Sequence, residues 1–323
     1  MYKKVAPVEC KSSASLLFNN FDVLLSEDEN EVTFGIVHKA AVVVFKPSLV
    51  QGEEENENNY KRIICKGESA HNSSMILQAK WCVLPQRTLL VITSVKGVQM
   101  FEADGSIMVF WQALTHNSSG SVAQYARGIT PVGDKHICVG AADGAILVYE
   151  IPPRGTSFKF QETLSSHDFS IADLQSSGES MVSADESGKI VLWKSGGHFT
   201  NLLSIDGYGW PATSIRMWKS YIIAGYGSGH VRIFNSENGV IVAEIAAHAK
   251  WINAIDVATA AGLLLTTSED SYVRVFSLYD FEMNYQKSVV DVQLTGGRFL
   301  GSNGKSFGVT GYDSTEVQIF QKD

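Results

Sequence analysis

Apolar residues in this chain fall in short runs rich in Val, Ile and Leu, separated by small polar pairs and by turns of Gly, Asp and Ser. The stretch from His248 to Phe276 shows the rhythm most clearly. Ile252, Ala254, Ile255 and Val257 form one apolar segment, and Leu263 to Leu265 a second, which closes on Thr266, Thr267 and Ser268. Glu269, Asp270 and Ser271 supply turn chemistry, and residues 271 to 274 alternate polar with apolar before Val275 and Phe276. Short β-branched segments separated by turn formers predict a meander of antiparallel strands.

The pattern occurs seven times, each alternating run ending on an aromatic: Phe45, Phe101, Tyr149, Trp193, Phe234, Phe276 and Phe320. Successive aromatics stand 56, 48, 44, 41, 42 and 44 residues apart, a period close to that of four-stranded propeller blades. Seven such units in 323 residues predict an all-β, seven-bladed β-propeller, one domain over residues 1–323, because radial repetition leaves only short edges exposed. The widest gap holds the acidic run Gln51 to Asn59, read as a solvated loop inserted in the first unit. After Phe320 only three residues remain, too few for a fourth strand, so Tyr2 to Val8 are expected to cover that edge.

His248, Thr266 and Asp270 fall where packing of the strands would join an imidazole, a hydroxyl and a carboxylate, each satisfying the others away from water. This set resembles the His, Ser/Thr, Asp and Trp tetrad of the WD-repeat family, with Phe276 in the Trp position and one N–H donor fewer. In the fourth unit His167, Ser183 and Trp193 stand in tetrad register, but the carboxylate position holds Ser187 and Asp185 comes two residues early. That tetrad is expected to be partial unless the turn shifts. In the third unit Asp143 matches Asp270 while Val139 replaces the hydroxyl, so no full tetrad is expected.

The resemblance covers the whole chain and is closest to the WD-repeat-containing protein 54 family. It is carried by WCVLPQRTLLVITSVKGVQMFE, by ARGI with HICVG and EIPPRG, and by IIAGYGSGHV, AHAKWINAIDVA and SFGVTGYD. It implies a ring whose last blade is closed by the N-terminal strand, and a non-enzymatic, cytoplasmic scaffold that binds proteins. Peripheral membrane association and self-association stay open.

In a propeller, the loops before each first strand and the turns between second and third strands gather on one face. Here those loops carry Phe169, Tyr208, Trp210, Lys250 and Trp251, and the turns carry Glu186, Tyr226 and Glu269. Aromatics placed in loops, where no core demands them, suit a protein-binding surface. The alternative is a reader of a short peptide or modified residue in the mouth of the channel. Trp81 and Trp111 lie within strand patterns and are expected to pack inside.

Composition narrows the function classes. A net charge of -8, without a cluster of Lys and Arg, argues against a nucleic-acid surface. No apolar run reaches the length of a membrane span, and the N-terminus has no continuous apolar core of a secretory signal. Cys10, Cys65, Cys82 and Cys138 show no metal or redox spacing and suit a reducing compartment. No metal or cofactor motif is expected. Gly301 to Ser306 lacks the first glycine of a phosphate loop, and the glycines of YIIAGYGSGHVRIF precede a strand rather than a helix. His, Ser and Asp recur partially from unit to unit, as a structural device would, and no nucleophile-elbow motif accompanies them.

Overall fold

A computed structural model describes residues 1–29, 31–47, 60–65, 74–114, 125–289 and 291–322. The acidic run expected at 51–59 lies outside them. The described residues form seven antiparallel sheets, whose strands run in chain order from the centre outward. The seven first strands are Phe21–Leu25, Ile76–Leu84, Ala126–Val132, Ile171–Ser177, Ala212–Trp218, Ile252–Ala258 and Leu294–Phe299. Each contacts the next, and the seventh contacts the first, so the array is a closed ring.

The first blade shows how directly the pattern becomes structure. Its strands are Phe21–Leu25, Val32–His38, Ala41–Phe45 and Tyr60–Ile64. Asp104-Gly105 turns the chain between the third strand of the second blade and its fourth, Met108–Ala113, with Gly105 at φ +67°.

Closure is carried by the start of the chain. Tyr2–Lys4 pairs antiparallel with the last strand, Glu316–Lys322, and Val8–Glu9 pairs with the same strand further along. The first piece takes the fourth-strand place of the seventh blade. Tyr2 is buried against Phe307 and Tyr285, at ring distances of 4.9 and 5.3 Å, and its hydroxyl donates to the Gly304 carbonyl at 2.5 Å.

Apolar burial sits between blades. Seven clusters lie around the ring, each joining side chains of two adjacent sheets. The aromatics that end the alternating runs, Phe45 to Phe320, are all buried there, each contributing about 1.5–3 kcal/mol by leaving water. Trp81 is buried too, its indole N–H donating to the Ala103 carbonyl at 2.8 Å. Trp111 departs from expectation: it is 42% exposed, because alternation along an outermost strand points every second side chain outward with no further blade to cover it.

Glycines lock neighbouring blades at one face. Gly144, Gly188 and Gly229, in three successive turns between second and third strands, have φ of +84°, +87° and +81°. A Cβ at these positions would lie 2.1–2.4 Å from the carbonyl oxygens of His167, Trp210 and His248 in the next blade's entry loop. Both the left-handed backbone and the close approach require glycine.

Candidate functional site

The blade-entry loops and the second-to-third-strand turns are brought to one face by strand register. The amides of Glu186, Gly227 and Glu269, first residues of three turns, donate to the carbonyls of Ser170, Pro211 and Trp251 at 2.9–3.0 Å. The two kinds of loop therefore form one continuous surface over the fourth, fifth and sixth blades.

Beneath that surface lie the polar sets. In the fourth blade, Trp193 Nε1 donates to Ser183 Oγ at 2.8 Å, the hydroxyl lies 2.6 Å from His167 Nε2, and His167 Nδ1 lies 2.8 Å from Asp185 Oδ2. A single proton order fits: indole N–H to hydroxyl, hydroxyl to Nε2, Nδ1–H to carboxylate. This tetrad is complete, which corrects the expectation of a partial one. Asp185 ends the second strand and reaches the imidazole from there, while its other oxygen accepts from the Ser187 hydroxyl and the Ser187 and Lys189 amides. Ser187, in the expected carboxylate position, caps the turn instead.

The sixth blade reaches the same end from the turn. His248 Nδ1 is 3.0 Å from both oxygens of Asp270, and Nε2 is 2.8 Å from Thr266 Oγ1. Phe276 is buried beside them and donates nothing. Burial works against the Asp270 charge, but the His248 ring and the Ala249 and Tyr272 amides hold this carboxyl well below the usual range. Asp185 is lowered in the same way, against its burial, by His167 and Ser187. Burial lowers the His248 imidazole despite Asp270, and Arg274, whose Nη1 stands 2.7 Å from Nδ1, adds to it.

The third blade has no tetrad, as expected: Val139 fills the hydroxyl position and the Asp143 carboxylate accepts the Ala145 amide within its turn. The fifth blade substitutes a different device. Ile171 opposite Asp185, Ala212 opposite Tyr226 and Ile252 opposite Ser268 align the three blades. On that alignment Tyr208 occupies the histidine place, and the Arg232 guanidinium lies 4.4 Å from the Tyr208 ring and 4.6 Å from that of Tyr226. Arg232 Nε donates to Glu244 at 2.5 Å. A cation between two aromatic faces replaces the hydrogen-bonded chain.

Above these sets, Phe169, Tyr208, Trp210 and Trp251 are 57%, 45%, 48% and 36% exposed. Glu186 and Lys250 are exposed and Glu269 is half-buried. Tyr226 is 0% exposed, which corrects its placement among the surface residues. It is the last residue of the strand Tyr221–Tyr226, opposite Ala212, and its ring packs into the cluster between the fourth and fifth blades.

The channel is stoppered on this same face. Residues leading into the first blade cross its mouth, and Asn19, at φ +54°, donates from Nδ2 to Asp173 Oδ2 and the Thr213 carbonyl while accepting from the Ser214 hydroxyl. The neighbouring Phe18 ring lies 3.9 Å from the Arg127 guanidinium. Below the stopper the wall carries an arc of alternating charge. Asp22 meets Arg298, Asp256 lies near both Arg298 and Arg216, and Arg216 meets Asp173, at 3.1–3.7 Å. A cavity of about 390 Å³, lined by Lys80, Gln175 and most of this arc, opens toward the opposite face.

The family model WDR54 matches residues 1–322. The chain belongs to the WDR54 family. It is 37% identical to the WD repeat-containing protein 54 of Mus musculus over 337 positions, covering 99% of each chain. The WD repeat domain 54 protein of Rattus norvegicus shows the same identity and coverage. Among solved structures, a chain of the mitotic checkpoint complex superposes with a TM-score of 0.77 at 12% identity, over 99% of this chain and 92% of that one. U3-55K superposes at 0.75 with 15% identity, over 99% and 98%. These likenesses show the propeller fold.

Sequence reasoning about this WDR54-family chain missed the cation stack, the stopper and the charged arc. A signal existed for the arc: each first strand carries a charged residue near its middle or end, such as Asp22, Lys80, Asp173, Arg216, Asp256 and Arg298.

Proposed function

We propose that this chain is a non-enzymatic protein-interaction scaffold whose partner site is the loop face of the fourth to sixth blades. WD-repeat propellers generally serve as protein-interaction scaffolds. The observation that carries the reading is the exposure of Phe169, Tyr208, Trp210 and Trp251 on that face, directly above polar sets that hold the loops in place. Exposed loop aromatics on a rigid frame lose little entropy on binding and dominate interface energetics.

The histidine sets support a structural role. The His167 and Asp185 side chains are 0% exposed and Ser183 is fully buried, so no substrate can approach a serine that would otherwise have the partners of a nucleophile. The alternative, reading of a short peptide in the channel mouth, is opposed on the loop face by the Phe18–Asn19 stopper. A cytoplasmic setting belongs to this reading: all four cysteines are free and buried, as suits a reducing compartment.

The test is proximity labelling in the native cell with the intact chain, the Trp210→Ala/Trp251→Ala variant and an opposite-face variant, Tyr279→Ala. The expected result is loss of a defined set of neighbours with the first variant alone, at an unchanged melting midpoint. An identical set for all three would remove the face assignment.

A further inference from the structure

The aromatic face is also acidic. Asp168 adjoins Phe169, Asp206 lies in the loop that carries Tyr208 and Trp210, and Glu269 donates its amide to the Trp251 carbonyl. Glu186 completes the set, its carboxylate accepting from the Tyr125 hydroxyl at 3.1 Å. Among the described residues none of these four carboxylates is in an ion pair with Lys, Arg or His. Among the described residues Lys250 is the one Lys or Arg with an exposed side chain in the same loops, and the nearby Lys189 is half-buried with its ammonium on the Ser166 carbonyl at 2.6 Å.

Carboxylates beside exposed Trp and Tyr rings match one side chain above others. A guanidinium stacks flat on an indole or phenol while its fork of N–H donors engages a carboxylate, and it sheds water more readily than an ammonium. The fold uses this chemistry within itself, where Arg232 lies between Tyr208 and Tyr226 and pairs with Glu244. The same negative charge disfavours a phosphate backbone.

We propose that the loop face of the fourth to sixth blades receives an arginine-bearing basic segment of a partner protein, its guanidinium groups stacking on Trp210 and Trp251 and pairing with Asp168, Glu186, Asp206 and Glu269. This rests on the face assignment made above and specifies the partner's chemistry. The segment is held by complementary charge at the rim and aromatic stacking at the centre, so its affinity falls with salt.

The test probes the full chain against an array of randomised ten-residue peptides and measures the retained ones by fluorescence anisotropy. The expected binders are enriched in arginine, lose about tenfold or more in affinity when the four carboxylates are neutralised (Asp168→Asn, Glu186→Gln, Asp206→Asn, Glu269→Gln), and weaken as salt is raised. Melting midpoints of the variants check folding. Binders that are acidic or purely apolar, and that Trp210→Ala/Trp251→Ala abolishes while charge neutralisation does not, overturn the basic-segment inference and leave the face assignment standing. Binders indifferent to both variants, or no peptide held more tightly by the native chain than by the double Trp variant, overturn both.

Discussion

Arg298 Nε and Asp22 Oδ1, 276 positions apart in sequence, meet at 3.1 Å across the seam between the last blade and the first. The bond adds a polar closure at the centre of the ring to the strand pairing of Tyr2–Lys4 at its edge. Asp22 also accepts from the Trp81 amide at 2.8 Å, so one carboxylate ties the first strands of the seventh, first and second blades.

Removing one partner of a nearly buried pair leaves the other without compensation, which costs more than the pair contributes against apolar replacements. Asp22→Ala should destabilise the fold by on the order of 3 kcal/mol. Replacing both residues, Asp22→Ala with Arg298→Met, should cost less than the sum of the two single changes. Urea unfolding of the four chains measures the coupling, and additive losses would show that the pair does not act as a unit.

The N-terminal clasp should carry a large share of stability through one side chain. Tyr2→Ala removes a ring buried against Phe307 and Tyr285 and is expected to cost roughly 3–5 kcal/mol, as for other buried aromatics. Hydrogen exchange should show the loss first in Ser306–Gly311 and Glu316–Lys322, the strands beside the clasp.

In the sixth blade Asp270→Ala leaves the His248 N–H and the Ala249 and Tyr272 amides without their acceptor. The expected loss is roughly 1–3 kcal/mol. Trp193→Phe in the fourth blade leaves, as in the sixth, a ring that donates nothing, and should cost about 1 kcal/mol for the lost hydrogen bond plus the cost of the cavity beside the smaller ring in the core. Thermal melts that leave the Asp270→Ala midpoint unchanged would show that the buried set contributes nothing to stability.

Acid should weaken the fold in two stages. Burial and Arg274 keep the folded His248 imidazole below its ordinary value, so the unfolded chain takes up more protons there once pH drops below about 6.5. That contribution is present above this pH and is lost on acidification. Asp270 and Asp185, also lowered in the fold, add a second loss that begins near pH 4 and continues down to their folded values. Urea midpoints should therefore decline between pH 7 and pH 5 and fall faster below about pH 4. His248→Gln should shrink the first stage, leaving the share of His136, which burial also lowers, and should reduce the second by the share of Asp270, which His248 holds low, while leaving that of Asp185.

Local pattern carried most of the fold. Strand alternation, turn residues and the recurring aromatic are properties of neighbouring positions, so blade number and the need for a clasp were legible. Contacts between distant positions were not. Asp22 and Arg298, or Asn19 and Asp173, meet only once the ring closes, and no spacing along the chain encodes that. The Asp185 tetrad was misread because two backbone sites, a strand end and a turn, reach one imidazole, and counting from Ser183 selects the wrong one. Tyr226 was misplaced because one residue separates an inward-facing strand end from an outward-facing turn. Phe169, Trp210 and Trp251 were legible as exposed because they lie in loops, before the strand alternation begins.

The most direct test of the account is hydrogen–deuterium exchange of the full chain with and without a protein partner recovered by proximity labelling. Protection confined to the loop face, at residues 167–170, 206–211 and 248–251 and the turns 186–188, 227–229 and 269–271, is the result expected. Protection instead of residues 133–135, 219–220 and 259–262, the turns between first and second strands on the opposite face, would contradict it.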